Sequence, residues 1–256
     1  MSQVSNFDIS STELNKSLIK NMTKRLELID SYLKEFDAII EDIQDNKIIL
    51  NQSAFYARGG GQPSDFGEIK TTDNKLVKVI SAEKNEDKVL LSVEPINILK
   101  KGDKVKGIID WTRRYKLMRM HTAIHLLHSV IYDSLKAMIT GNEIDVDKTR
   151  FDLDYEISKE RIIRYIKKAN ELIKKGALVK NYLLPKDEAL KIPGIVKLGI
   201  AFPPDVKELR IVEIENIDIE ADGGTHVKNI TEIGEIIFLK LDNKGKGRKR
   251  IYFTIG

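Results

Sequence analysis

The chain has 256 residues, 41% of them hydrophobic and 32% charged, a composition typical of a globular protein and not of a disordered one. It contains no apolar run of the roughly 18 residues that a membrane-spanning helix needs, and its N-terminus lacks the basic start and apolar stretch of a secretory signal. Because the chain has no cysteine, disulfide bonds are excluded and we predict a cytoplasmic protein. The net charge of +4 is too small to require nucleic acid as a partner.

The N-terminal part is predicted to form a polar tail followed by a small β-barrel domain. Residues 1–21 are rich in Ser and Asn, which is typical of a loose tail. Over residues 22–108, short apolar runs alternate with turn residues, and several short strands at close spacing predict a barrel or compact sheet. The glycine-rich segment Gly59, Gly60, Gly61 and Gln62 interrupts these strands. It is not a Walker-type phosphate loop, because no lysine and Ser/Thr pair follows it.

Residues 109–256 are predicted to form a second domain in which helices pack on a largely antiparallel sheet. Asp110 or Thr112 can cap a helix that runs to about Leu135. Ser158 can begin a second helix that continues to about Lys175, and its apolar residues fall on one stripe. A short helix is expected at 186–190, and strand-like runs lie at 149–155, 195–198, 209–214, 233–241 and 250–255. The predicted fold class is therefore α+β.

Three of the four histidines belong to two motifs that together predict a metal site. His121 and His125 are one turn apart on the first helix, so both imidazoles can bind the same ion. About a hundred residues later, a glycine-rich turn places Asp222 four residues before His226. If the two segments meet in space, the protein is a metal-dependent enzyme. If they do not meet, these are ordinary core histidines in an α/β protein.

The order and spacing of several motifs resemble a known family, the AlaX-type trans-editing proteins, which are related to the editing domain of alanyl-tRNA synthetase. The matching segments extend from about residue 22 to the C-terminus. They are Ser31-Tyr-Leu-x-x-Phe36, Phe55-Tyr-x-x-Gly-Gly-Gly-Gln-Pro63, Ile109-Asp-Trp111, Arg119-Met-His-Thr-Ala-x-His-Leu-Leu127, Asp222-Gly-Gly-Thr-His-Val227 and Thr231-Glu-Ile-Gly234. A lone His-x-x-x-His motif would be weak evidence, but this ordered set is specific.

The resemblance implies a hydrolase that cleaves the ester joining serine or glycine, wrongly attached, to the terminal adenosine of alanine tRNA. It implies zinc as the cofactor and alanine tRNA as the partner. It also implies that the glycine-rich segment Gly59–Gln62 is a hairpin that faces the editing pocket and contacts the substrate. Few residues follow the editing domain, so the medium form of the family fits better than the long form.

One position departs from the family pattern, because a cysteine zinc ligand is replaced by Asp222. Carboxylate oxygen is an accepted but harder zinc ligand, which binds at about 2.0 to 2.2 Å against about 2.3 Å for a thiolate. Asp222 could be the fourth ligand, together with His121, His125 and His226. It could instead stand beside a three-histidine zinc and hold or deprotonate a water. In a third interpretation the metal has been lost.

Other catalytic candidates come from turns. Thr140 is a candidate for the hydrogen bond that would recognise the hydroxyl of serine, although a turn hydroxyl bonded to local backbone is an equal alternative. The amides of Gly223 and Gly224 could donate to an oxyanion, since glycine allows close backbone approach. The alternative is a tight turn that requires positive φ.

Two clusters of cations are candidates for RNA binding, although solvated faces explain them equally well from charge alone. They are Arg113 and Arg114 before the histidines, and Lys244, Lys246, Arg248, Lys249 and Arg250 near the C-terminus. Two rival functions remain from the sequence. One is a metal-free module that binds alanine tRNA without deacylating it. The other is a general metal hydrolase of small esters or amides, whose activity would not respond to tRNA.

Overall fold

The computed structural model describes residues 22–196 and 206–256. The predicted polar tail at residues 1–21 lies outside the described residues, as does the second half of the strand predicted at 195–198. Ile195 and Val196 are described and are not in a strand. Within the described ranges, no helix combines the length and the apolar character needed to cross a membrane.

The N-terminal part is a closed barrel of six antiparallel strands, as the short apolar runs predicted. A two-residue strand, β1 (Lys24–Arg25), and a 3₁₀ turn (Leu26–Leu28) precede it, and β1 pairs with β4 (Gln52–Ser53). The strands follow one another around the barrel in the order β2 (Glu35–Gln44), β3 (Lys47–Leu50), β7 (Lys88–Glu94), β6 (Leu76–Asn85), β5 (Gly67–Thr71) and β8 (Lys104–Ile109). Alternate residues such as Phe36, Ala38 and Ile40 point inward and are buried. This two-residue period is typical of a strand with one face exposed to solvent.

The second part consists of a long helix, a shorter one and two antiparallel sheets. Helix α1 (Trp111–Leu135) begins at Asp110, whose side chain accepts a hydrogen bond from the amide of Arg113 at 3.1 Å. Helix α2 (Lys159–Lys175) begins at Ser158 and ends at Gly176. The remaining elements are β9 (Ile139–Glu143), β10 (Thr149–Leu153), β11 (Val179–Pro185), the short α3 (Lys186–Ala189), β12 (Glu208–Ile214), β13 (Asp218–Ala221), a 3₁₀ turn (Ile230–Ile233), β14 (Ile236–Asn243) and β15 (Lys249–Ile255).

These elements surround α1 on several sides. One sheet has the strand order β14-β15-β10-β9 and the other β11-β12-β13, with antiparallel neighbours throughout. Most of α1 from Leu117 to Ile131 is buried, because α2, the second 3₁₀ turn and both sheets pack against it. The α+β prediction is confirmed. Strand β8 ends at Ile109 and α1 begins at Trp111, and we propose that the domain boundary predicted after residue 108 lies at this junction.

In the second part of the chain, three strands were not predicted, and each has a physical reason. Strand β9 was read as a turn, since Thr140, Gly141 and Asn142 are turn formers. Strand β11 is an edge strand whose side chains are largely exposed, so it carries little apolar periodicity. Strand β13 has an inverted pattern, because Asp218 and Glu220 are the buried positions while Ile219 is half-buried. Its inward face serves the cluster of histidines described next.

Candidate metal centre

The two predicted motifs meet, and they form one compact cluster. His121 and His125 come from α1, while Asp222 and His226 come from the turn that follows β13. One potential ligand atom from each of these four residues lies within 4.8 Å of the others. The ring centroids of His121 and His226 are 4.3 Å apart, and those of His125 and His226 are 4.8 Å apart. The condition on which a metal site depended is therefore satisfied.

Gln62 holds His121 in one orientation. Its side-chain Oε1 lies 3.0 Å from Nδ1 of His121 and also accepts a hydrogen bond from the amide of Thr225 at 3.2 Å. Its Nε2 donates to the hydroxyl of Thr225 at 2.9 Å. Since an amide oxygen only accepts, Nδ1 of His121 carries the proton and Nε2 is left as a lone-pair donor facing Asp222.

Two buried carboxylates hold His125 in the same way. Its Nδ1 lies 3.2 Å from Oδ2 of Asp218 and 3.4 Å from Oε2 of Glu220, both on β13. These carboxylates are 6% and 4% exposed as residues, so their charges are not dispersed by water. A carboxylate behind a histidine fixes its tautomer and raises its basicity as a metal ligand. The sequence analysis missed both residues.

Thr122 performs this role for His226. The Thr122 hydroxyl donates to the carbonyl of Met118 at 2.9 Å, one turn earlier on α1, and its oxygen lies 3.2 Å from Nδ1 of His226. With its proton committed to Met118, the hydroxyl oxygen accepts from Nδ1. The Nε2 of His226 therefore points the other way, to Oδ1 of Asp222 at 2.8 Å. All three histidines thus present Nε2 to the same place.

Asp222 is fixed by its own turn. Its Oδ1 accepts a hydrogen bond from the amide of Gly224 at 2.7 Å, and its Oδ2 lies 3.7 Å from Nε2 of His121. The Gly224 amide is therefore already used, which contradicts its predicted role as an oxyanion donor; the amide of Gly223 stays a prediction. Neither glycine has positive φ, so the alternative of a positive-φ turn was wrong as well. A Cβ on Gly224 would lie 2.2 Å from the ring of His121, so close packing explains this glycine.

Burial and mutual charge set the protonation states of the cluster. Burial holds the pKa of His121 well below its usual range and lowers that of His226 to about 4. Burial would also lower the pKa of His125, but Glu220 and Asp218 outweigh it and raise the pKa to about 9. Burial would raise the pKa of Asp222, but the neighbouring His121 and His226 hold it well below its ordinary value. At neutral pH the metal-free site therefore contains a carboxylate, two neutral imidazoles and a protonated His125, whose Nε2 proton a bound metal would displace.

This set of donors fits zinc. Three imidazole nitrogens and one carboxylate oxygen are all accepted zinc ligands, and four ligands match its preferred coordination number. Each histidine also has the acceptor on its second nitrogen that metal-binding histidines almost always have. The fourth histidine, His128, is outside the cluster, with its Nε2 3.0 Å from the carbonyl of Ala137.

The glycine-rich segment lies beside the cluster and connects the barrel to the four-stranded sheet. Gly59 and Gln62 exchange both backbone hydrogen bonds, which closes a tight hairpin with positive φ at Gly60 and Gly61. Gly61 packs on β9 so closely that a Cβ there would lie 1.8 Å from Oδ1 of Asn142. The side chain of Gln62 is fully buried among His121 and Thr225. Gln62 thus positions His121, and contact of Gly59, Gly60, Gly61 and Gln62 with substrate stays a prediction.

The structure contradicts the prediction that Arg114 binds RNA. Its side chain is fully buried, and its Nε donates to Oδ1 and Oδ2 of Asp65, both at 2.9 Å. Its Nη1 donates to the carbonyl of Ser31 at 3.0 Å, and its Nη2 to the carbonyl of Ala54 and to Asp65. The residue pins the first turn of α1 to the barrel. A charge within a sequence cluster was read as a surface charge, although its position on α1 faces inward.

The other predicted site residues are spread over the surface. Arg113 stacks on the ring of Phe66, with its guanidinium carbon 4.1 Å from the ring centroid. Near the C-terminus, Lys249 pairs with Glu156 at 2.6 Å and Arg250 with Asp152 at 2.6 Å, whereas Lys244, Lys246 and Arg248 are exposed in the turn between β14 and β15. Thr140 is exposed on β9. RNA binding by these cations and substrate recognition by Thr140 stay predictions.

Comparison with known proteins places this geometry in context. Residues 209–252 match the family model of the threonyl and alanyl tRNA synthetase second additional domain, and residues 2–113 match that of the class II (A) tRNA synthetases. The first match includes Asp218, Glu220, Asp222 and His226.

Individual relatives match over nearly the whole chain. The alanyl-tRNA editing protein AlaX-M of Saccharolobus solfataricus is 45% identical over 235 residues, which are 91% of this chain and 99% of the relative. The AlaX-M of Methanosarcina barkeri is 42% identical over 241 residues, with the same coverage of both chains. The alanine–tRNA ligase of Methanococcus vannielii is 36% identical over 239 residues, which are 91% of this chain but only 26% of the ligase.

Proposed function

Because the chain belongs to the AlaX-M family of alanyl-tRNA editing proteins, we propose that it hydrolyses the ester of wrongly charged alanine tRNA at a zinc centre. The convergence of His121, His125, Asp222 and His226 within 4.8 Å is the observation that carries this proposal. The favoured substrate is serine esterified to the terminal adenosine, with glycine as the second candidate.

Asp222 fits the role of fourth ligand better than the role of general base. A general base works best with a pKa near the operating pH, whereas the pKa of Asp222 is held well below its ordinary value. Its carboxylate is also in direct contact with Nε2 of His226, at the centre of the cluster and not at its edge. When bound, zinc supplies Lewis acidity, which polarises a carbonyl group or lowers the pKa of water.

The protein's own residues supply orientation. Gln62, the Asp218–Glu220 pair and Thr122 each bind Nδ1 of one histidine, so the three Nε2 atoms are held toward one place before substrate arrives. Such preorganisation avoids reorganising polar groups during the reaction. Because Gln62 belongs to the glycine-rich hairpin, the hairpin is mechanically connected to the ligand His121.

Selection against alanine needs a polar contact to the serine hydroxyl. A site built around such a hydrogen bond rejects an analogue lacking the group by about 10⁴-fold, because its own polar groups are then left unpaired. Thr140 is our candidate for this contact, on the strand against which the glycine-rich hairpin packs. We expect Thr140→Val to narrow the preference for seryl- over alanyl-tRNA without changing zinc content.

The two rivals have less support. A decayed, metal-free binding module would not need to keep potential ligand atoms of three histidines and one aspartate within 4.8 Å of one another. A general hydrolase of small esters would not be expected to share 42–45% identity with AlaX-M proteins over 91% of the chain.

Deacylation of seryl-, glycyl- and alanyl-charged alanine tRNA, with and without a chelator, tests the proposal. We expect rapid hydrolysis of the seryl ester, slow hydrolysis of the alanyl ester, and loss of activity on chelation that zinc restores. Zinc content by mass spectrometry should be one ion per chain and should fall sharply in Asp222→Ala. The matched control is His128→Gln, which removes a histidine outside the cluster. Full zinc content in Asp222→Ala would exclude the ligand role, and full activity after verified removal of zinc would exclude the zinc mechanism.

A further inference from the structure

A second feature, distinct from the histidine cluster, is a groove of about 830 Å³ between the barrel and the three-stranded sheet. On the barrel side it is lined by β1 and by the facing ends of β6 and β7. On the other side it is lined by β11 and by Arg210 of β12. None of the cations predicted from the sequence to bind RNA lies in it.

The groove is positively charged. Among the described residues, its charged lining consists of five cations, Lys24, Arg25, Lys84, Lys88 and Arg210, and one carboxylate, Asp87. Arg25 is neutralised by the buried Glu27 at 2.7 Å. Lys24 and Lys84 are exposed and Lys88 half-buried at the rim. Clustered cations along a concave surface attract a polyanion.

The groove also offers apolar and aromatic surface beside these charges. Ile29 is 68% exposed and Leu183 is 60% exposed, high values for side chains of this size in a folded protein. Tyr182 of β11 also lines the groove; it is half-buried, and its hydroxyl donates a hydrogen bond to Glu213 at 2.8 Å. Cations that follow a phosphate backbone, combined with apolar and aromatic faces for bases, are characteristic of sites for single-stranded nucleic acid.

Arg210 connects the groove to the metal centre. Its Nε donates to the carbonyl of Leu28 at 3.2 Å, and its Nη1 donates to the carbonyl of Asp222 at 2.9 Å. Its Nη2 is buried and has no hydrogen-bond partner among the described residues. A buried guanidinium nitrogen without an acceptor is unfavourable, and an anionic group at the inner end of the groove would supply the missing acceptor.

We propose that this groove binds the single-stranded 3′ end of the tRNA and guides its terminal nucleotide past Arg210 to the cluster. The phosphates lie against Lys24, Lys84 and Lys88, and the unpaired bases lie against the apolar wall. This inference rests on the proposed function, since it names the path by which that substrate reaches the site.

The test uses the double variant Lys84→Gln/Lys88→Gln in the full chain. The probe is a fluorescently labelled RNA hairpin with an unpaired 3′-CCA end and no amino acid, and its affinity is measured over a range of salt concentrations. Each lost single-strand phosphate contact should reduce the slope of log affinity against log salt by about 0.7, so the double variant should lose about 1.4. The matched control, Lys167→Gln/Lys168→Gln, removes the same charge from the exposed face of α2 and should leave the slope unchanged.

The outcomes separate this proposal from the proposed function, because binding of uncharged RNA does not depend on hydrolysis. An unchanged salt slope in a folded Lys84→Gln/Lys88→Gln variant overturns the groove. So does equal binding of a blunt hairpin that lacks the unpaired end. If the slope falls as expected but wild-type protein leaves seryl-tRNA intact, the groove stands and the hydrolase proposal fails. If wild type deacylates and the groove variants bind and react like wild type, the hydrolase proposal stands and the groove fails.

Discussion

Helix α1 carries two buried polar clusters two turns apart, and they differ in how completely their groups are paired. At the first turn, the nitrogens of Arg114 donate to Asp65 and to two carbonyls of the barrel. Two turns later, His121 binds Gln62 through Nδ1, and His125 binds Asp218 and Glu220 through Nδ1. Both direct Nε2 to a shared place. Burial is the same in both clusters. The paired cluster holds the fold together, and the cluster whose potential ligand atoms converge on one place can bind a metal ion.

The energetic consequences of this difference are also distinct. Removing one partner of a buried ion pair leaves an uncompensated charge, which costs the fold directly. Removing a ligand from the histidine cluster instead weakens an equilibrium with a metal, and stability changes only as far as binding is linked to folding.

The largest effect on stability is expected from Arg114→Ala. Loss of the guanidinium leaves Asp65 buried without its partner, so the free energy of unfolding should fall by about 3 to 5 kcal/mol. Chemical denaturation measures this change. The control is Lys116→Ala on the same helix, which removes an exposed ion pair between Lys116 and Asp147. This change should lower the free energy of unfolding by less than about 1 kcal/mol. A fully stable Arg114→Ala protein with weakened RNA binding would restore the original surface assignment.

A smaller effect is expected behind the histidines. Asp218→Asn removes the charge 3.2 Å from Nδ1 of His125 while preserving the shape of the side chain. Zinc affinity should fall about 10- to 100-fold, as for other residues that orient metal-binding histidines. Competition with a fluorescent chelator measures it. Glu215→Gln, which alters an exposed carboxylate next to the same sheet, should bind zinc as wild type does. Equal affinity in both variants would leave Asp218 with a purely structural role.

The metal-free protein should show a pH dependence that distinguishes His125 from its neighbours. The pKa of His125 is raised to about 9 in the folded state, so its stabilisation is fully present below about 6.5 and is lost as pH rises through 9. We expect the free energy of unfolding of the chelated protein to fall between pH 6.5 and 9, and His125→Gln to remove this fall. A chelated wild-type protein that becomes more stable over this interval would contradict the assignment.

The metal-free protein should also lose stability in acid, because of His226. The pKa of His226 is lowered to about 4 by burial, so below pH 6.5 the unfolded state takes up the proton more readily than the folded state. The free energy of unfolding should therefore fall as pH drops from 6.5 toward 4. In His226→Gln this fall, measured by denaturant titration at each pH, should be smaller. If the variant loses as much stability between pH 6.5 and 4 as wild type does, groups other than His226 cause the loss.

The smallest effects are expected at the C-terminal hairpin of β14 and β15, where ion-paired cations lie next to exposed ones. Arg250 binds Asp152 through two nitrogens at 2.6 and 2.8 Å, so Arg250→Gln should lower stability by about 1 kcal/mol and leave RNA affinity unchanged. Lys244→Gln/Lys246→Gln should leave stability unchanged and flatten the salt slope of RNA binding by about 1.4 if both lysines contact single-strand phosphates. An unchanged slope would identify the hairpin tip as an ordinary solvated face.

Local sequence patterns by themselves predicted most of the secondary structure and the candidate metal ligands of this protein. The strands of the barrel and the two long helices follow from apolar periodicity and from the caps Asp110 and Ser158, because these signals act within one element. The spacing of His121 and His125, and of Asp222 and His226, likewise predicted two local pairs of ligands, since one helical turn and one short loop position each pair. Whether the two pairs meet was left open by the sequence.

Only the tertiary structure decided which polar residues lie behind those ligands. Gln62, Thr122, Asp218 and Glu220 come from the barrel, from α1 and from β13, and no sequence spacing connects them to the histidines that they orient. Strand β13 was even missed because its buried positions are carboxylates. The burial of Arg114 and the cationic groove beside Arg210 were equally invisible in the sequence. Arg114 is buried only when α1 packs against the barrel, and the groove exists only where the barrel meets the three-stranded sheet. Burial is a property of that packing and not of residue type.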